Sequence, residues 1–292
     1  MAKHRIFIVF SILFFMFIVL SFSSPIFCIS QAMVVFVDAN NKVNDASNDK
    51  VSFFNKTNIE KNAKLIIKED IGKTIFDLNK EKYYKKFEFQ NSYAKLLRVE
   101  SKYPNTVVFY VSERKPVFVA QNIEENGILI LDSEFKIVEK NNNNSDIETY
   151  KLINFFGVIN NKKVSIFSFF EINFDAFTVG MNLKENNLAI SAISNIATIS
   201  KKINVLCQDD LANIFLELNF YCDEKSLLNL NIMTNENCLG VKLSIENVLS
   251  NFDKKFEKLI LALNTLYKKD RIKTTYGELK INDALNCFWN KL

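Results

Sequence analysis

One stretch restricts the possible folds more than any other, the segment KYPNTVVFYVSERKPVFV from Lys102 to Val119. Tyr103-Pro104-Asn105 is turn chemistry, because proline presets φ and asparagine tolerates a left-handed bend. Thr106 to Val111 is almost wholly β-branched and aromatic, a composition that suits a pleated surface. Glu113, Arg114 and Lys115 are charged. Pro116 then removes a ladder donor and pushes Lys115 toward an extended conformation. A second apolar run, Val117 to Ala120, follows at once. The pattern predicts a strand that closes one small domain and passes through an interdomain junction, Glu113-Arg114-Lys115-Pro116, into the next. Spacing alone equally fits a hairpin strand with a charged end.

At the N-terminus, Lys3, His4 and Arg5 precede an apolar run from Ile6 to Phe22 that extends past Pro25 to Ile29. At about 1.5 Å per residue such a run is long enough for a hydrocarbon core of roughly 30 Å. Positive charge on the short side puts residues 1–5 in the cytoplasm. The expectation is a transmembrane anchor over 6–29, a single-pass location in the cell membrane, and an extracytoplasmic bulk. A cleaved signal peptide is the alternative, since Ser30-Gln31-Ala32 has a small-x-small pattern, although the run exceeds the usual apolar region of about 7–15 residues.

Residues 33–114 predict a first folded unit. Met33 to Val37 forms a strand. Thr57 and Glu60 have capping-box spacing before a helix that carries Ile59, Ala63, Ile66 and Ile67 on one face. Gly72 stops that helix. Asp77 can cap a second one bearing Leu78, Tyr83, Tyr84 and Phe87. Strands from Tyr93 to Glu100 and Thr106 to Ser112 complete a β-α-α-β-β order.

Residues 116–276 predict a second, mixed β domain with packed helices, followed by a tail over 277–292. Gly127 to Asp132 and Lys136 to Val138 make a tight hairpin around Ser133-Glu134-Phe135. Asp132 at such a turn is a backbone acceptor far more often than a catalytic acid. Strands are expected over Lys151–Val158, Val164–Phe170, Ile203–Cys207, Ile214–Phe220, Leu227–Met233 and Gly240–Ile245. Leu188, Ile190, Ile193, Ile196, Ala197 and Ile199 predict an amphipathic helix over Glu185–Lys201. A strong helix over Phe252–Tyr267 buries Phe252, Phe256, Leu259, Ile260, Leu263 and Leu266, with Lys254, Lys255, Glu257 and Lys258 mostly opposite. Arg271 to Tyr276 alternates as a last strand that Gly277 ends. The spacing leaves open whether the tail packs back.

Composition narrows the chemistry. The net charge of +4 gives no nucleic-acid footprint. The single histidine is His4, which excludes most Ser-His, Cys-His and multi-His metal chemistry within one chain. The five cysteines, Cys28, Cys207, Cys222, Cys238 and Cys287, form no C-x-x-C pair. They are read as buried small apolar side chains ahead of disulfides. No cofactor or metal site is expected.

Several of these residues carry a resemblance. Tyr103-Pro104-Asn105-Thr106, the strand after it and Glu113-Arg114-Lys115-Pro116 resemble the junction between the POTRA and β domains of the bacterial division proteins FtsQ and DivIB. Gly72 to Leu78, the hairpin at Leu131-Asp132 and the terminal Lys-rich helix and strand are similar to the same family, although the loop over Asp38–Lys56 is longer than expected for it. The resemblance implies a POTRA-like βααββ domain and a β domain that act without catalysis. It implies partners of the FtsL and FtsB/DivIC type and, through them, the septal peptidoglycan synthase and the division septum. The implied partner edge is Arg271, Ile272, Thr274 and Tyr276, offered for strand pairing. A POTRA-bearing secretion component and an extracytoplasmic glycan-acting enzyme are the alternatives. The first lacks room for a large barrel, and the second lacks an evident carboxylate pair.

Overall fold

The computed structural model describes residues 11–16, 25–37, 56–141, 152–202, 211–235, 240–268 and 276–291. The chain divides into two compact units, Met1–Arg114 and Lys115–Leu292. Both combine helices with mixed sheets, so the protein is α+β.

In the first unit, β1 (Gln31–Phe36), α1 (Lys56–Ile67), α2 (Lys80–Gln90), β2 (Ala94–Lys102) and β3 (Thr106–Glu113) follow in order. The sheet order is β1-β3-β2, with β1 parallel and β2 antiparallel to β3. The apolar face of α1, Ile59, Ala63, Ile66 and Ile67, is buried with Tyr83 and Phe87 of α2 and with Leu96, Val99 and Phe109 of the sheet. The Phe109 ring meets Tyr83 edge-on at 5.8 Å and stacks on Phe87 at 5.7 Å. Gly72 takes φ +85° just after α1, a conformation in which a Cβ is strained. The Tyr103–Pro104 bond at the β2–β3 turn is cis.

Asp70 organises the connection between the two helices. It is 7% exposed and accepts hydrogen bonds from Lys73 Nζ at 2.6 Å, Lys82 Nζ at 2.9 Å and Tyr83 Oη at 2.9 Å. Burial raises the pKa of its carboxyl, but the bonds from Lys73, Lys82 and Tyr83 outweigh burial and hold it well below its ordinary value of 3.8. A depressed folded-state pKa gives stability that is complete above the unfolded value and is lost as pH falls through the folded one. Asp70→Asn is therefore expected to destabilise the first unit by about 1–3 kcal/mol at neutral pH. The variant should also flatten the decline in stability below pH 3.8. Chemical denaturation at several pH values measures both, and a variant whose profile parallels the parent's removes this role from Asp70.

The structure corrects the N-terminal expectation. Among the described residues no helix is long and apolar enough to cross a membrane. This overturns the transmembrane anchor over 6–29 and the single-pass location drawn from it. Residues 11–16 are helical, but the segment that was to finish the span belongs to the first folded unit. Pro25–Phe27 forms one 3-10 turn, Cys28 bridges Thr74, and Ile29 is 3% exposed in the unit's core. The Ile29 N–H donates to Lys73 O at 2.8 Å, and its carbonyl accepts from Gly72 N at 2.9 Å. A residue with both backbone groups and its side chain committed to a globular fold has nothing left to give to lipid.

The helix starts also differ from expectation. Thr57 lies inside α1, which begins at Lys56, so it is not an N-cap. Asp77 sits in a 3-10 turn, and Asn79 caps α2 by accepting from Lys82 N at 3.1 Å.

The second unit holds β4 (Pro116–Asn122), β5 (Gly127–Asp132), β6 (Ile137–Asn141), β7 (Ile153–Ile159), β8 (Lys162–Ser165), α3 (Ile166–Phe169), α4 (Leu188–Ala192), α5 (Ile196–Lys202) and α6 (Leu211–Ile214). It continues with β9 (Phe215–Cys222), β10 (Leu228–Thr234), β11 (Val241–Ile245), α7 (Phe252–Lys268), β12 (Gly277–Ile281) and β13 (Cys287–Lys291). One sheet runs β13-β12-β11-β10-β9-β7-β4-β5-β6, and β8 pairs with β7. Pairs β4–β7, β7–β9 and β11–β12 are parallel. One face of this sheet makes the core. Phe118, Phe155, Leu218, Ile232, Leu243 and Leu279 pack there with residues of α4, α5 and α7.

Within that core Phe118, Phe135 and Phe155 stack, with centroids 4.7 to 5.4 Å apart. Phe135 is fully buried at φ +62°, so the hairpin turn tolerates a left-handed residue because the ring is held on both neighbours. Asp132 is a backbone acceptor, with Glu134 N at 2.8 Å and Lys136 N at 3.0 Å from Oδ1. The expected strand over Val164–Phe170 stops at Ser165, whose hydroxyl accepts from Phe167 N and starts α3. The expected helix over Glu185–Lys201 is broken into a 3-10 turn, α4 and α5. Asn187 causes one break by accepting from Ala189 N and Ile190 N. Leu188 consequently points outward at 80% exposure. The expected strand over Ile203–Cys207 lies outside the described residues.

Candidate functional site

The C-terminal end of the second sheet is built by two devices. The first is the helix α7. Its apolar face, Phe252, Phe256, Leu259, Ile260 and Leu263, is buried against the sheet, as an amphipathic helix requires. The second is a lysine. Lys255 belongs to the basic face by spacing, yet it is fully buried. Its ammonium donates to Glu246 O at 2.7 Å, Asn247 O at 2.9 Å and Asp283 Oδ1 at 2.5 Å. The last of these bonds, and one from Asn247 Nδ2, hold the Asp283 carboxyl below its ordinary pKa. Lys255 thus ties the start of α7 to the connection after β11 and to the turn between β12 and β13.

That turn is closed by Asn282. Its side chain accepts from Asn286 N at 2.9 Å, and its carbonyl accepts from Leu285 N, which sits at φ +61°. β12 then pairs in parallel with β11 and antiparallel with β13. A Cβ at Gly277 would lie 2.3 Å from the Trp289 ring, so the indole covers this glycine and fixes the register of the last pair. β13 is a terminal strand of the sheet. It places Cys287 and Trp289 against the core and leaves Phe288 at 49% exposure. An edge strand of this kind can accept the backbone of another extended segment.

Of the expected partner-edge residues, Arg271, Ile272 and Thr274 lie outside the described residues. Tyr276 is 59% exposed and directly precedes β12. Gly277, expected to end a strand, begins one. Sequence reading missed the hairpin formed by β12 and β13. The alternation Leu279, Ile281 and Cys287, Trp289 around Asn282-Asp283 carries its signal.

The junction residues separate in role. Glu113 ends β3 opposite Ala94. Arg114 is 5% exposed and belongs to the first unit. Its N–H donates to Tyr93 O at 2.8 Å and its guanidinium to Glu88 Oε1 at 2.8 Å and Ala94 O at 3.4 Å. Lys115 is exposed. Pro116 opens β4, a strand position where a missing donor is tolerated.

The cysteines depart in part from expectation. Cys222 is exposed, while Cys28 and Cys287 are half-buried, and all three are free thiols. Cys207 and Cys238 lie outside the described residues. Burial raises the pKa of the Cys287 thiol against the opposing influence of Lys258. Among the described residues no group of three His, Cys, Asp or Glu side chains could hold a metal ion.

The fold and this edge define a two-unit α+β protein whose terminal strand β13 pairs on one side only among the described residues. No family model matches the chain, and no curated protein does.

Proposed function

We propose that the chain is a non-catalytic scaffold of the FtsQ/DivIB kind, which captures an extended segment of a division partner by strand addition along β13. The observation that supports this most directly is the terminal strand itself. It is held on one side by β12, anchored by Trp289 and Lys255, and presents Phe288 outward. Backbone pairing supplies affinity in such a mode, and alternate side chains supply specificity. Partners of the FtsL and FtsB/DivIC type are the proposed ligands, with the septal peptidoglycan synthase reached through them.

Co-purification of the full chain with these partners tests the reading. Phe288→Asp and Tyr276→Asp place charge at exposed positions, so each should change stability by no more than about 0.5 kcal/mol. Phe288→Asp is expected to abolish partner recovery, and Tyr276→Asp to reduce it. Unchanged recovery with both variants would falsify the assignment.

A further inference from the structure

From β7 to β13, the face of the second sheet that points away from its core carries mostly hydrogen-bonding groups. One row is in register across six strands: Phe156, Asn219, Asn231, Ser244, Lys280 and Phe288. At about 4.8 Å per strand the row is roughly 24 Å long. Its charges, and those of the rows beside it, are cancelled locally. Lys163 pairs with Glu217 at 2.7 Å, Lys242 with Glu278 at 2.9 Å and Lys280 with Glu246 at 2.7 Å. A phosphate chain or a nucleic acid would find little net charge here. An apolar segment would strand the polar groups without partners.

Within the row one group lacks its partner. Asn219 is 7% exposed, and its Nδ2 donates to Glu217 Oε2 at 3.3 Å, which fixes the amide's orientation. Its Oδ1 is buried and accepts from no donor among the described residues. A buried acceptor of this kind costs free energy unless something donates to it. The neighbouring Asn231 and Ser244 continue a line of amide and hydroxyl groups, and Ser244 Oγ lies 2.7 Å from Asn231 Oδ1. Phe288 adds a half-exposed ring at one end.

We infer that this face binds a neutral linear glycan lying across the strands, with a sugar hydroxyl donating to Asn219 Oδ1. A chain of β-linked pyranoses supplies many hydroxyl donors and acceptors and no net charge. It has a repeat close to the strand spacing and apolar ring faces that stack on an aromatic side chain. The inference does not depend on strand capture at β13, since Asn219 lies on β9, in the interior of the sheet.

Titration of the full chain with cellohexaose and with chitohexaose, followed by calorimetry and by chemical-shift changes at β9 and β10 amides, tests it. At least one of the two is expected to bind. Asn219→Leu is expected to weaken that binding by about tenfold, the loss of one hydrogen bond made only with the ligand. Asn231→Ala, at a more exposed position on β10, provides the same reading if Asn219→Leu does not fold. Polyphosphate serves as the anionic control. Absence of binding by both hexasaccharides, tighter binding of polyphosphate, or binding that all folded variants retain unchanged overturns the inference. Because Phe288→Asp tests strand capture and Asn219→Leu does not touch that edge, the two assignments fail separately.

Discussion

Replacing Phe109 by alanine is expected to destabilise the first unit by about 3–5 kcal/mol, the range for emptying a buried phenylalanine site. The ring is fully buried at the centre of β3, the middle strand of a three-stranded sheet. It also meets α2 through Phe87 and Tyr83. No neighbour can collapse easily into the space, since Tyr83 is held by Asp70 and Phe87 by its own helix. A small unit has little reserve against a loss of this size. Denaturant unfolding followed by far-UV circular dichroism should show an early transition, with amides of β2 and β3 losing hydrogen-exchange protection. The only tryptophan, Trp289, reports the second unit separately. A variant with an unchanged early transition would show that the aromatic cluster is not what holds the first unit together.

Lys255→Met is expected to cost about 3 kcal/mol and to loosen the hairpin of β12 and β13. Methionine keeps the length of the side chain but leaves the carbonyl of Glu246 without its donor, at about 1–3 kcal/mol, and takes one of two donors from the Asn247 carbonyl, which keeps Ser250 N at 3.0 Å. Asp283 suffers less, because its side chain is 49% exposed and regains water. The total therefore falls at the low end of the range for breaking a buried pair. Hydrogen exchange over residues 277–291 is the direct measure. Partner recovery should fall in parallel if β13 is the docking edge. Asp283→Asn should show a smaller version of the same effect, and the double variant should cost less than the sum of the two. Strictly additive costs would mean that the lysine and the aspartate do not act as one clamp.

Much of the strand content was legible because β-branched and aromatic runs leave few other options. The stretch from Thr106 to Val111 became β3, and the hairpin around Asp132 formed with its aspartate capping the turn. What the sequence concealed was mostly a choice between competing partners for backbone amides. Asn79 displaced Asp77 as a cap, and Asn187 and Ser165 started helices where periodicity favoured a longer helix or a strand. Lys255 was placed on a solvated face because spacing describes direction and not the carbonyls that wait there. The apolar run ending at Ile29 looked continuous by hydropathy, yet its last residues are claimed by the loop at Gly72 and Lys73. The terminal hairpin is hidden in the sequence because Gly277 after Arg271–Tyr276 reads as a stop, whereas its missing Cβ makes room for the Trp289 ring.

The parallel pairing of β11 with β12, across the whole length of α7, has a kinetic corollary. The first unit can close once Arg114 has left the ribosome, since its contacts are complete by then. The second cannot finish its sheet until Lys291 has been made, and its β4–β7 and β7–β9 pairs also join distant segments. Long-range parallel pairing slows folding and keeps strand edges open meanwhile. During synthesis the nascent chain should therefore carry a folded head and an incomplete body, with protease resistance acquired in two well-separated steps.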